Sequence, residues 1–163
     1  MRRLISVALV VVTSGIAGCG YSSQTLFTSH YKSIAVDIFK NQTRYRDFEF
    51  SLANAIKNEI VQKTDMTLAS HDNAETLLTG SIQSYDQYVV TEMSQDVVRE
   101  IQVKITLSYE WRDLRTGKVI QKREGLSRTA DAKFPLGETR DSAAAKVLTD
   151  VAEDVINDLE REW

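Results

Sequence analysis

The chain holds one sulfur nucleophile, Cys19, and two imidazoles, His30 and His71. Each histidine lies in a polar segment and reads as a plain surface residue rather than a general base or a metal ligand. No Gly-rich phosphate loop, nucleophile elbow or paired-His helix is written anywhere in the sequence. We therefore expect no enzyme, no cofactor and no metal site. The remaining chemistry-bearing residues are charged. Lys40, Arg44 and Arg46 form one basic group, and Arg112, Arg115, Lys118, Lys122 and Arg123 form a second around a turn. Arginine pairs with phosphate through a fixed fork, so either group could hold an anion. Equally, such charges keep turns and a sheet edge soluble. Asp150, Glu153, Asp154, Asp158 and Glu160 crowd one late stretch and read as a solvated helix face rather than a cation site.

The context of Cys19 gives its sulfur a purpose. Met1-Arg2-Arg3 is positively charged, Leu4 to Val12 is apolar but too short to span a bilayer, and small residues follow. That order is a secretory signal peptide over residues 1–18. Ile16-Ala17-Gly18-Cys19 resembles the lipobox of bacterial lipoproteins, with Ile16 where Leu is more usual. The resemblance implies cleavage before Cys19, a diacylglyceryl thioether on its sulfur and an N-acyl group such as palmitate. At ~0.8 kcal/mol per buried CH2, several chains anchor a protein stably where one does not. Ordinary secretory cleavage leaving a bare thiol is the alternative. Gly20, rather than Asp, after the cysteine resembles an outer-membrane sorting signal.

The cargo must position the charged groups. Of 163 residues, about 145 remain after cleavage, enough for one domain with a real core. Twenty basic against 23 acidic residues argue against a nucleic-acid partner, and removing Arg2 and Arg3 makes the balance more acidic. One cysteine permits no internal disulfide.

Residues 19–32 are polar and aperiodic, a lipidated N-terminus and linker; residues 33–163 form the domain. Ile34, Val36 and Ile38 share one face of a first strand, which Lys40 to Thr43 breaks. Asp47 is the expected cap of a helix to about Lys63, with Phe48, Leu52, Ile56 and Ile60 in a stripe beside Ala55 and with Lys57, Asn58, Gln62 and Lys63 solvated. A brief extended piece fits Met66 to Leu68. Leu77 to Thr91 is a second strand whose phase slips near Ser84, a bulge. After a turn at Glu92 to Asp96, Ile101, Val103, Ile105, Leu107, Tyr109 and Trp111 alternate strictly with polar residues, so one face is buried. Asp113 to Lys118 is a hairpin turn using Gly117, and Val119 to Arg128 returns. Ala130 to Glu138, with Pro135, reads as a loop. Thr139 or Asp141 starts a last helix with the stripe Ala144, Val147, Leu148, Val151, Ala152, Val155, Ile156 and Leu159. The order β-α-β-β-β-α predicts an α+β two-layer sandwich, two helices on a four-stranded mixed sheet, with a right-handed crossover making the first two strands parallel. In that topology the two basic groups lie at opposite ends of the sheet.

Cys19-Gly20-Tyr21, the run Ser33 to Thr43, the helix from Glu49 to Ile60, Ala74 to Ile82 and the Asp113 to Lys118 turn together resemble the lipopolysaccharide-assembly lipoprotein family (LptE). Asp37 stands where Pro is more usual, and Glu75 where Asp is. The resemblance implies a non-catalytic outer-membrane lipoprotein facing the periplasm or a barrel lumen. It would plug and help assemble a large β-barrel, LptD, and bind lipopolysaccharide. Polar strand residues Gln102, Lys104, Thr106 and Ser108 would suit a polar lumen. Arg112, Arg115 and Lys118 are proposed as lipopolysaccharide contacts on chemistry alone. The alternative is a lipid-anchored periplasmic adaptor or activator of another envelope enzyme or secretion pore, without a glycolipid ligand.

Overall fold

The computed structural model describes residues 30–93, 97–133 and 136–160; the signal peptide, Cys19, most of the linker and Pro135 lie outside them. The described elements are β1 (Ser33–Val36), β2 (Lys40–Asn41), α1 (Phe48–Lys63), β3 (Thr67–Leu68), β4 (Thr76–Met93), β5 (Val97–Asp113), β6 (Val119–Lys133) and α2 (Arg140–Glu160). They form an α+β sandwich. One mixed sheet runs β3-β1-β4-β5-β6, with β2 also beside β4. β1 is parallel to β4, as a crossover through α1 requires, and β4, β5 and β6 are an antiparallel meander. The expected four strands are all present. Two strands of two residues each, β2 and β3, extend the sheet to six.

The alternation in β5 does what its period demands. Ile101, Val103, Ile105, Leu107, Tyr109 and Trp111 are all buried against the helices, and Trp111 is the bulkiest fully buried side chain. α2 lies over β5 and β6, while α1 lies beside α2 over β1 and β3. All eight residues of the α2 stripe are buried. In α1, Leu52, Ile56 and Ile60 are buried with Ala53, while Phe48 and Ala55 sit at the margin.

Local chemistry corrects several expectations. β1 stops at Val36, and Ile38 is 55% exposed; the buried residue is Phe39. Phe39 packs against Gly80, where an added Cβ would come within 2.3 Å of its ring and 2.5 Å of the Ser108 carbonyl oxygen. Only glycine fits at that close approach. Lys40–Asn41 pairs with Ser81–Ile82 instead of breaking the sheet. Asp47 does not cap α1: it sits in the left-handed region with φ 69° and makes no side-chain cap hydrogen bond. Asn41 organises that entry instead. Its amide donates to the Tyr45 carbonyl (2.6 Å) and Glu49 Oε2 (2.7 Å), and its Oδ1 accepts from the Thr43 N–H and hydroxyl. The Glu49 carboxyl is held below the usual range by its own backbone N–H and by Asn41. The bulge in β4 falls between Ile82 and Ser84 as the phase slip required. β6 runs on to Lys133, so Ala130 and Ala132, assigned to a loop, are buried strand residues. Gly125, at φ 69°, marks a second bulge that sets β6 back in phase. Thr139 caps the start of α2, with its hydroxyl accepting the Ser142 N–H at 3.1 Å.

Candidate functional site

The chain enters the fold at the hairpin end of the sheet. Tyr31, expected in the linker, packs edge-on against Trp111 with ring centroids 5.7 Å apart and donates its hydroxyl to Asp113 Oδ2 at 3.3 Å. The Lys32 N–H donates to Glu75 Oε2 at 2.7 Å. Burial first, then the charge of Asp113, raises the Tyr31 phenol above its ordinary value.

Asp113 builds the turn beyond. Its Oδ1 accepts the N–H groups of Arg115 and Thr116, both at 2.8 Å, an Asx turn closed by Gly117 in the left-handed region at φ 72°. The Thr116 N–H is the largest influence holding the Asp113 carboxyl below its usual range. Because backbone donors satisfy this carboxylate, the Arg115 side chain is not needed to neutralise it. Arg115 and Lys118 are exposed, and no ion-pair partner for either occurs among the described residues.

A groove of about 620 Å³ opens beside the turn, lined by His30, Tyr31, His71, Glu75, Asp113 and Arg115 among others. It lies within the size range of small-ligand sites. The two histidines, 41 positions apart and read as unrelated surface residues, therefore meet in one place. Periodicity could not find this, because it depends on the β1–β3 and β1–β4 pairings that bring residues 30 and 71 to the same end. Among the described residues no group of three His, Cys, Asp or Glu side chains is arranged to hold a metal ion.

The rest of the hairpin group is differently employed. Arg112 pairs with Glu110, so of the three proposed anion contacts only Arg115 and Lys118 keep unshared charge. Lys122 pairs with Glu124 at 2.7 Å. Arg123 opposes Tyr109 across the sheet and therefore points to the helix side, where it meets buried Asp158. Tyr109 also donates to Asp158, at 3.1 Å, and burial followed by that carboxylate's charge raises its phenol strongly. Arg128 reaches Asp154 in the same way. Lys63, expected to be solvated, bridges Glu59 at 2.9 Å and Glu153 at 2.8 Å. The acidic residues of α2 are thus largely a seam binding it to β6 and α1, not a solvated face.

Lys40, Arg44 and Arg46 are exposed; Lys40 pairs at the level of Ser81, about 16 Å along β4 from the turn at ~3.3 Å per residue, and Tyr45, between the two arginines, packs on Tyr85 further on. They sit near the middle of the sheet rather than at its far end, and the two basic groups do not form one site.

A model of the lipopolysaccharide-assembly family, LptE, matches residues 31–162. The chain belongs to that family. Its members are outer-membrane lipoproteins without catalytic activity, which places this chain as a periplasm-facing protein of the outer membrane. Among the described residues no helix is long and apolar enough to cross a membrane. No curated protein matches the chain. Solved structures share its fold at low identity. The protein XCC0632 from Xanthomonas campestris is 11% identical with a TM-score of 0.56, over 83% of this LptE chain and 90% of its own. The hypothetical protein CT253 from Chlamydia trachomatis is 10% identical with a TM-score of 0.56, over 80% and 96%. A PelC dodecamer from Paraburkholderia phytofirmans is 17% identical with a TM-score of 0.52, over 82% and 90%.

Proposed function

We propose that this LptE protein is the lipid-anchored plug and assembly partner of a large β-barrel that delivers lipopolysaccharide to the outer membrane. The observation that carries the reading is the family match across residues 31–162. Cys19 is the proposed lipidation site. With Tyr31 fixed on Trp111, a tether of about 11 residues reaches at most ~40 Å from the hairpin end. The groove and turn therefore stay within about that distance of the headgroups. Arg115, with Lys118 beside it, is the proposed contact for lipopolysaccharide phosphates, since neither cation has an ion-pair partner among the described residues to compete. Arg112 is set aside because Glu110 already holds it.

The open face of the sheet supports the plug. Lys104, Thr106 and Ser108 on β5 sit beside Thr129 and Ser127 on β6 and Asp86, Ser84 and Ser81 on β4. Such a face hydrogen-bonds with a polar barrel lumen. The test is affinity purification of the C-terminally tagged chain from detergent-solubilised envelopes, with mass spectrometry of what accompanies it. A stoichiometric large β-barrel is the expected result. A cell-wall synthase, a secretion pore, or no barrel would sink the reading in favour of an adaptor.

A further inference from the structure

The first basic group, Lys40, Arg44 and Arg46, has no part in the function proposed above, yet the loop that carries it is tightly held. Asn41 crosses the loop, with its amide on the Tyr45 carbonyl and the Glu49 carboxylate and its Oδ1 on the Thr43 N–H and hydroxyl. The Thr43 hydroxyl also accepts the Tyr45 N–H at 3.2 Å. The Tyr45 ring stacks on Phe48, with centroids 5.7 Å apart and planes 6° apart, and lies 4.2 Å from the Tyr85 ring. Arg44 and Arg46 flank Tyr45 in sequence and so are carried on a fixed backbone. Glu49 is the partly buried acid of this loop, and the Asn41 amide and nearby N–H groups satisfy it. No cation is consumed there: among the described residues no ion pair involves Lys40, Arg44 or Arg46. Three exposed cations therefore stand against one exposed acid, Asp47, over residues 40–47. Beside them Tyr45 is 44% and Phe50 50% exposed. Aromatic side chains already rigid before contact, with arginine beside them, are the anchors of protein interfaces, since little conformational entropy remains to be lost.

We infer that the loop over residues 40–50 docks on a carboxylate-bearing patch of the β-barrel partner, with Arg44 and Arg46 pairing its acids and Tyr45 and Phe50 filling its apolar part. The identity of the partner rests on the reading of the protein as a barrel plug; the chemistry that the partner must carry is set by the loop. A guanidinium takes a carboxylate through two parallel N–H groups, which fixes orientation as well as charge. Such pairs speed and steer docking and reject uncharged or basic surfaces. A lipid headgroup layer would also attract the cations. Tyr45, however, spends part of its ring on Phe48 and Tyr85 instead of projecting from the surface, and a half-covered ring suits a shaped pocket. The acids of α2 in a second copy are poor partners for the loop. Asp150, Glu153, Asp154 and Asp158 are already paired with Lys146, Lys63, Arg128 and Arg123.

The test uses the full, C-terminally tagged chain in its own envelope and reads recovery of the barrel. Arg44→Glu with Arg46→Glu should lower recovery by about fivefold or more, and the gap from the parent should narrow as salt rises. The thermal midpoint should stay put, because neither arginine has an ion-pair partner among the described residues to lose. Lys122→Glu with Lys146→Glu changes the net charge equally on other surfaces and should keep recovery within about twofold. A second measurement places the photoreactive residue p-benzoylphenylalanine at Phe50 in the otherwise unaltered chain. A cross-link to a barrel segment bearing Asp or Glu is the expected result, and Lys in place of that acid should restore recovery of the double Glu variant. Equal recovery of parent and double Glu variant overturns the inference and leaves the barrel reading standing. So do cross-links from position 50 that reach only lipid or a second copy while the parent still recovers the barrel. A parent chain that recovers no barrel removes both.

Discussion

Two aspartates, Asp113 and Asp158, are each 6% exposed, yet they treat the nearest arginine in opposite ways. Asp158 lies on α2, where the donors within reach are side chains, and it takes both the Tyr109 hydroxyl and the Arg123 guanidinium. Asp113 lies at the end of β5, where a turn folds its own N–H groups back onto the carboxylate, and it takes the amides of Arg115 and Thr116. At α2 a cation is consumed to neutralise a buried charge. At the hairpin the backbone does that work, and the Arg115 side chain is left with its charge exposed. The difference separates charges that hold the fold from charges free to hold a ligand.

The largest effect should come from breaking the first arrangement. Asp158→Ala strips the Tyr109 hydroxyl and the Arg123 guanidinium of one shared acceptor. We expect a loss of about 2–4 kcal/mol in urea unfolding. Tyr109→Phe removes one of those bonds and should cost about 1 kcal/mol. Arg128→Ala, at the exposed end of the same seam, should cost under ~1 kcal/mol because solvent screens that pair. An Asp158→Ala protein as stable as the parent would mean that the seam is ornament, and the contrast would fail.

How much of this could be read beforehand depends on the range over which each feature is determined. The buried face of β5, the α2 stripe, the β4 bulge and the Gly117 turn follow from period and local φ, so the sequence announces them. Arg123 facing Asp158 does not, because it requires the Gly125 bulge to set the phase of β6 and α2 to land on that edge. The meeting of His30 and His71 is set by strand pairing in the same non-local way. Asp47 misled for a different reason. It is a good cap by type, but the Asn41 amide had already fastened the first turn through Glu49. Of the three residues proposed for anion binding, Arg112 has its charge shared with the neighbouring Glu110, whose rotamer no spacing argument reveals.

The second arrangement can be tested by acid. The Asp113 carboxyl titrates below its ordinary value in the folded protein, so the unfolded chain takes up its proton first as pH falls. Its stabilisation is therefore complete above about pH 4, the unfolded value, and is lost as pH drops through the lower folded one. Asp113→Asn keeps an acceptor for the turn but has no proton to take up. The gap in urea midpoint between parent and Asp113→Asn should be present at neutral pH and should close in that acid window. A gap independent of pH would assign the turn's strength to shape rather than to charge.

The smallest effect on stability should come from the cations that the turn leaves free. Arg115→Ala and Lys118→Ala, singly or together, should move the unfolding free energy by no more than ~0.5 kcal/mol, since neither side chain has an ion-pair partner among the described residues to abandon. The same double variant should retain markedly less lipopolysaccharide through purification, and the deficit should narrow as salt rises and screens the parent's attraction. Arg123→Ala is the matching control. It should lose stability, about 1–2 kcal/mol, and keep the glycolipid. If instead both variants lost glycolipid equally, the loss would reflect a loosened fold, and the exposed charge at the hairpin would have no claim to the ligand.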